Sequence, residues 1–285
     1  MTGFESKNNV IHSIELLGLT ISFPNQSPII KNCNLKFQKG KTYLLTGATA
    51  SGKSTLLRFI KGIIPLFYLA TIYGELRVND KSIPLEEFWD FRTEIGYLFQ
   101  DPPLQVIGAN VEKDLAFGLE NLAIPPFEMK QKITKIAEKL NISHLIPQST
   151  NELSGGELAL VALASILLLQ PKILLLDEFT AFLDNLSRER VFEIIKLIQG
   201  GDRIIIIVSH QLKYVLPLVD EVIVLDDGEV LLQTTKQGFI TSNFSLIKDR
   251  LRVPELFHLG VNLCNANKLI PDFETEDELF QLIGR

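Results

Sequence analysis

Three unbroken apolar runs stand out in the second half of the chain: Ile173-Leu174-Leu175-Leu176, Ile204-Ile205-Ile206-Ile207-Val208 and, after Glu221, Val222-Ile223-Val224-Leu225. Short continuous runs of β-branched and aliphatic residues predict strands covered on both faces, as in a parallel sheet. The first half reads differently. From Ser13 to Phe23, apolar Ile14, Leu16, Leu19, Ile21 and Phe23 largely alternate with other residues, as in a half-covered strand, and Ile29 to Phe37 forms a second one after the turn Pro24–Pro28. Gln38-Lys39-Gly40-Lys41 turns the chain into a strand at 42–46. Gly74–Val78 and Ile95–Phe99 predict two more strands, with one helix, Leu56–Ile60, between the strand at 42–46 and Gly74.

Between these halves the period changes to that of helices. Val111–Leu119, Phe127–Leu140 (behind Pro125-Pro126) and Glu157–Leu169 predict three helices, so Gln100 to Gln170 reads as a helical insertion. Asp227-Gly228 predicts a hairpin turn into a strand at 229–232. Residues 236–285 read as helix and loop, broken at Pro254 and Pro271. No internal repeat or low-complexity tract is present.

The densest chemistry lies at the end of the strand at 42–46. Gly47, Ala48, Thr49, Ala50, Ser51, Gly52, Lys53, Ser54 and Thr55 fit a phosphate-binding loop between a strand and a helix. The glycines let the backbone turn tightly and bring its N–H groups to an anion. Lys53 supplies a charge for the β- and γ-phosphates, and the Ser54 hydroxyl suits Mg²⁺.

Other polar residues share the same address, the carboxyl end of a strand, where open parallel sheets bind ligands. Gln100 follows the strand at 95–99, Asp177 and Glu178 follow Ile173–Leu176, and His210 follows Ile204–Ser209. Together they make a phosphoryl-transfer site with metal ligands, a carboxylate base and a histidine. Each also has a plainer reading: a helix cap for the carboxylates, a surface residue for His210, a turn residue for Gln100. Phe23 is a candidate for stacking on a nucleotide base, or simply a core phenylalanine. Leu153-Ser154-Gly155-Gly156-Glu157 opens the third helix, where small residues and a capping serine can make a second anion site or a plain N-cap.

Composition narrows the partners. The 285-residue chain carries a net charge of −6 and no block of Lys and Arg, which argues against nucleic acid as partner. Cys33 and Cys264 are far apart and the four histidines are scattered, so neither a zinc site nor a disulfide is expected, and a reducing cytosol is. The apolar fraction of 46% is high, with a mean hydropathy of +0.19, yet the longest apolar stretch, Leu158–Leu169, is too short to span a bilayer. Residues 1–9 lack a signal-peptide pattern. The apolar excess therefore predicts surface made to meet a partner.

In order and spacing these motifs resemble those of ABC-type ATPases over about residues 13–232. Gly47–Thr55, Gln100, Leu153–Glu157, Ile173–Glu178, Ala181–Asp184 and His210 look like the Walker A, Q-loop, signature, Walker B, D-loop and H-loop. The resemblance implies an α/β fold of the P-loop NTPase (RecA-like) type: a parallel sheet, an antiparallel β subdomain and an inserted helical subdomain at about 100–170. It also implies an ATP-binding domain over 1–232 and a C-terminal extension over 233–285 that is a candidate for dimerisation. ATP and Mg²⁺ are the implied cofactors: Lys53, Ser54 and Thr55 on phosphates and metal, Gln100 and Asp177 on the metal, Glu178 as base, His210 on the γ-phosphate. Ser154 and Gly156 would act on the nucleotide of a second ATPase subunit, the same chain or a paralogue, and Asp184 would link the two sites.

The segment Phe99–Leu119 and the tail Leu251–Leu256 are similar to the ATPases of energy-coupling-factor and cobalt-type importers. That likeness implies transmembrane transporter subunits as partners and a peripheral place on the cytoplasmic face of the membrane. Some residues depart from the family pattern. Glu157 replaces a Gln, Leu158-Ala159-Leu160 a polar stretch, Ser165 an Arg and Phe179 a Pro, so the composite site that uses this signature is expected to be slow. A mechanical ABC ATPase working on ribosomes or DNA would usually carry two motif sets or a long coiled coil, and a simple P-loop kinase leaves Leu153–Glu157 unexplained.

Overall fold

A computed structural model describes residues 10–84, 87–181 and 183–241. The segment from 242 onward, with the tail Leu251–Leu256 and Cys264, lies outside the described residues, as do residues 1–9. Two sheets organise the rest. In the first, β1 (Ser13–Ser22), β2 (Ile30–Gln38), β4 (Thr71–Val78) and β5 (Lys81–Ile83) run antiparallel in the order β2-β1-β4-β5. In the second, β3 (Thr42–Gly47), β6 (Ile95–Leu98), β7 (Ile173–Asp177), β8 (Ile204–Val208), β9 (Glu221–Asp226) and β10 (Glu229–Thr235) stand in the order β10-β9-β3-β8-β7-β6. The five strands from β9 to β6 are mutually parallel, and only the edge strand β10 is antiparallel.

The unbroken apolar runs have a direct cause in this layering. Along β8, Ile205 and Ile207 enter one core while Ile204, Ile206 and Val208 enter the other. Strand β7 divides in the same way, with Leu174 and Leu176 facing one core and Ile173 and Leu175 the other. Neither face meets water, so neither tolerates polar residues. One core is closed by helix α1 (Lys53–Ile60) and the antiparallel sheet. The other is closed by α4 (Val111–Asn121), α5 (Pro126–Lys139), α6 (Gly155–Leu168) and α7 (Asn185–Ile198). Short helices α2 (Ile63–Leu66), α3 (Phe88–Phe91), α8 (Leu212–Val215) and α9 (Lys236–Thr241) complete the described chain.

Three details refine the sequence reading. The stretch between β3 and β6 holds α2 and α3 beside the single helix expected there. Helix α7, unassigned from sequence, is capped by the Asp184 side chain accepting from Ser187 N at 3.0 Å and buries Val191, Phe192, Ile194, Ile195 and Ile198. Helix α6 is shared rather than confined to the insertion. It packs against α4 and α5, yet Ile166 sits on Gly96 of β6, so close that a side chain at 96 would collide with it.

Candidate functional site

Loop 47–52 is shaped by what surrounds it. Gly47 has φ 147°, and a Cβ there would fall inside the Leu225 carbonyl of β9. Gly52 has φ 101°, and a Cβ there would sit 2.7 Å from Ile30 Cδ1 and 3.0 Å from the Ile29 carbonyl oxygen. No other residue fits either place. Gly52 is also the N-cap of α1 and brings no capping side chain, so the first N–H groups of the helix stay open to a ligand.

Lys53, buried on the inner wall, donates from Nζ to the Ala48 carbonyl at 2.7 Å and the Gly47 carbonyl at 3.1 Å. Burial holds its pKa below the usual lysine value, and the charges of Glu178 and Asp177 oppose that shift. A phosphate chain would supply the negative charge that the buried ammonium lacks.

Asp177, at the end of β7, is buried. Its Oδ1 accepts from Ser54 Oγ at 3.0 Å and its Oδ2 from the Tyr97 hydroxyl at 2.7 Å. Burial raises its pKa, while the hydrogen bonds from Tyr97 and Ser54 pull it back. The Tyr97 phenol is itself pushed up, first by burial and then by Asp177, and so remains a donor.

Glu178 follows with φ 44°, a left-handed conformation uncommon for a non-glycine residue, and its N–H donates to the Val208 carbonyl at 3.0 Å. This bend aims its carboxylate at His210, whose Nε2 lies 3.2 Å from Oε1. The hydrogen bond from His210 is the main reason the Glu178 carboxyl is held below the usual range. Held so, it stays ionised at neutral pH. The stability this contributes is complete above the ordinary glutamate pKa and is lost as pH falls through the lowered one.

One open cleft is lined by Thr49–Thr55, Gln100, Glu178, His210 and Ile29. The structure therefore brings together residues from four strand ends, as the sequence implied, and Ile29, which the sequence did not single out, joins them from just before β2. Phe23 does not line this cleft: it is half-buried against the core beneath the antiparallel sheet. Among the described residues no cluster of three His, Cys, Asp or Glu forms a cage for a metal.

Ser154, Gly156 and Asp184 lie apart from the cleft and form a second cluster. Ser154 caps α6 in a reciprocal box: Glu157 N donates to Ser154 Oγ at 3.3 Å, and Glu157 Oε2 accepts from Ser154 N at 2.8 Å and from Ser154 Oγ at 2.7 Å. The backbone N–H of Ser154 is the main cause that keeps the Glu157 carboxyl below its usual range, so this helix start carries a negative charge. Asp184 Oδ2 accepts from Ser187 Oγ at 2.6 Å, which sets Ser187 against Gly156. A Cβ at 156 would lie 2.5 Å from Ser187 Cβ. Gly156 thus has a packing reason within its own chain, where α6 and α7 meet.

A prediction follows from that contact. Gly156→Ala should cost about 1–3 kcal/mol through overpacking, lowering the melting temperature by several degrees in calorimetry. Adding Ser187→Gly should recover most of the loss; no recovery would remove the α6–α7 contact as the cause.

Ser165 also finds a local role. Its Oγ donates to Asp114 Oδ2 at 2.8 Å, and Asp114 Oδ1 accepts from the N–H groups of Ile107 (2.8 Å) and Gly108 (3.0 Å). The buried Asp114 carboxylate ties the loop after Gln100 to both α4 and α6.

Comparison with known proteins places these features in a family. Residues 30–181 match the family model described as ABC transporter. The chain is 34% identical to the energy-coupling factor transporter ATP-binding protein EcfA1 of Ligilactobacillus salivarius over 280 residues, covering 94% of this chain and 95% of that one. It is 32% identical to EcfA of Methanosarcina acetivorans over 258 residues, covering 90% and 92%. Against an ABC transporter ATP-binding protein of Saccharolobus solfataricus it is 33% identical over 85% of its own length, but spans only 46% of that longer protein. The solved structure of cbiO1 from Clostridium perfringens, described as part of the ABC transporter complex cbiONQ, superposes with a TM-score of 0.74 at 28% identity, covering 87% of this chain and 98% of that one.

Proposed function

The chain belongs to the ABC transporter family of ATP-binding proteins, and from that premise we propose that it binds and hydrolyses ATP to power a membrane importer of the energy-coupling-factor kind, carrying vitamins or metal ions. The observation that carries this reading is the cleft where Lys53, Ser54, Gln100, Glu178 and His210 converge above Asp177. The near full-length likeness to two energy-coupling-factor ATPases supports the transport role.

In this reading the open N–H groups of loop 47–55 and the Lys53 ammonium hold the phosphates. The Ser54–Asp177 oxygen pair, with Gln100 at the rim, fits Mg²⁺, which takes one or two carboxylates and completes its shell with phosphates and water. When bound, the ion neutralises charge building up on the transferred phosphoryl group. Glu178 accepts the proton of the attacking water, and His210 orients it and meets the γ-phosphate. Phe23, half-buried against the core, has no part in this reading.

Each cleft of this kind is completed by the signature of a second ATPase subunit, a copy or a paralogue. Ser154 and Gly156 of this chain would face that subunit's nucleotide, with Asp184 between the sites. Here Glu157 matters: its carboxylate sits at a helix start where the partner's γ-phosphate would approach. The composite site built on this signature is therefore expected to be slower than one completed by a neutral residue.

No helix among the described residues is long and apolar enough to cross a membrane. The chain would sit peripherally on the cytoplasmic face, with a helix of a transmembrane subunit lying against the segment after Gln100. Leu104 and Ile107 are 80% and 64% exposed there, whereas Val106 is half-buried against the core. Leu104→Asp with Ile107→Asp should release the membrane subunit in co-purification and leave nucleotide affinity unchanged. Retention of the subunit by this double variant would move the docking site elsewhere.

A further inference from the structure

Tyr97 reaches the heart of the site from inside β6, the strand whose end carries Gln100. It stands on β6, with its ring in the core shared by Ile95, Ile173 and Leu175 and its edge against Phe99 at 4.7 Å between centroids. That packing accounts for an aromatic ring at 97, but it does not account for a hydroxyl. Phenylalanine would fill the same volume without bringing a polar group into an apolar core. The hydroxyl donates to Asp177 Oδ2 at 2.7 Å, and the Arg58 side chain is a further partner of the phenol.

Both oxygens of Asp177 are consequently spoken for by different elements. Ser54, on the loop-to-helix turn, holds Oδ1, and Tyr97, on the edge strand, holds Oδ2. The terminal torsion of an aspartate is broad and roughly two-fold, so a carboxylate held at one oxygen alone could swing about the other. Two donors on opposite sides fix its plane. The strand end carrying Tyr97 is clamped in turn. Gln105 donates from Nε2 to the Tyr97 carbonyl at 2.9 Å and accepts from Phe99 N at 3.2 Å, as a short strand would, although it belongs to the turn after Gln100.

We infer that Tyr97 is a positioning residue for the metal-binding carboxylate: its hydroxyl fixes the plane of Asp177 so that Oδ1 meets Ser54 and the cation, and Gln105 fixes the strand end from which it acts. The inference rests on the reading of Ser54 and Asp177 as the cation pair. Groups that orient metal ligands from behind typically affect metal affinity by about ten- to a hundredfold.

The test is a titration of the purified full chain with Mn²⁺ in the presence of the non-hydrolysable analogue AMP-PNP, followed by the electron paramagnetic resonance of free Mn²⁺. Tyr97→Phe keeps the ring and removes only the hydroxyl. We expect its Mn²⁺ dissociation constant to rise about ten- to a hundredfold, while AMP-PNP affinity measured in EDTA stays close to wild type; the melting temperature falls modestly, because the buried Asp177 Oδ2 loses its donor. A constant within twofold of wild type would overturn the positioning role. Should Tyr97→Phe fail to fold, Gln105→Ala decides: a rise of at least about threefold supports the clamp and its strand, and no rise overturns it. Wild-type protein that shows no nucleotide-dependent Mn²⁺ binding at all would overturn the nucleotide-site reading, and this inference with it.

Discussion

Glu178→Gln is expected to lower ATP turnover by about a hundred- to ten-thousand-fold, the usual worth of a positioned general base, while Mg-ATP still binds. The amide keeps the shape of the carboxylate but cannot take a proton. The local fold should tolerate it, because the side chain is 24% exposed and its partner His210 faces solvent as well. The left-handed bend at 178 is set by the backbone bond to Val208, which the substitution leaves alone. ATP-bound pairs should accumulate, since the step that reopens them has been removed. Because the Glu178 carboxyl is held below its usual range, chiefly by His210, it stays ionised well below pH 7. Phosphate release by wild type and variant, with this chain as the only ATPase present, measures the effect. Near-normal turnover of the variant would falsify the assignment.

The contrast with Asp177→Asn sharpens that assignment. Asp177 is buried and hydrogen-bonded at both oxygens, and Glu178 faces the cleft. Adjacent in sequence, the two carboxylates have environments that push their pKa values apart, Asp177 upward by burial and Glu178 downward by His210. The metal carboxylate, once changed, should weaken Mg²⁺-dependent binding itself rather than the chemical step.

Much of this was legible in the chain because the motifs report local geometry. Strands buried on both faces must be apolar throughout, so β7, β8 and β9 announced themselves, and a cleft at the carboxyl ends of β7 and β8 followed from topology. The glycines of the phosphate loop were equally readable, since their need for positive φ and close backbone approach is a property of the loop itself. What escaped were relations across the fold. Nothing within a few residues of Tyr97 reveals a hydroxyl donating to a carboxylate 80 positions later. Gly156 could be read as part of an anion site, but its contact with Ser187 needs two helices placed side by side. Ser165 looked like a lost arginine until Asp114 was seen beside it. Helix α7 is different: its apolar spacing from Val191 to Ile198 was there to be read, and the polar residues Ser187-Arg188-Glu189-Arg190 at its start obscured it.

Lys53→Ala should weaken ATP binding by about ten- to a hundredfold or more, the equivalent of losing one charge-assisted contact of about 1.5–3 kcal/mol, with little change in melting temperature. The reasoning starts from the cost of the residue. Lys53 is a buried ammonium whose pKa is lowered by desolvation, and its partners are the carbonyls of Gly47 and Ala48 and, at 3.4 Å, Ser51 Oγ. A depressed lysine pKa means that burial disfavours its charged form, so the fold gains nothing from the charge that a ligand does not return. Alanine at the first position of α1 keeps the helix, being the best helix former. It leaves the half-buried Ala48 carbonyl and the buried Gly47 carbonyl without their Nζ donor. The fold should then survive, while the phosphates lose their buried counter-charge. Lys53→Arg offers a second arm: it restores the charge, but replaces a compact ammonium by a larger planar fork at a buried position. We expect it to resemble alanine in titrations with ATP. Unchanged ATP affinity in Lys53→Ala, measured on folded protein, would remove the glycine-bounded loop from the phosphate site.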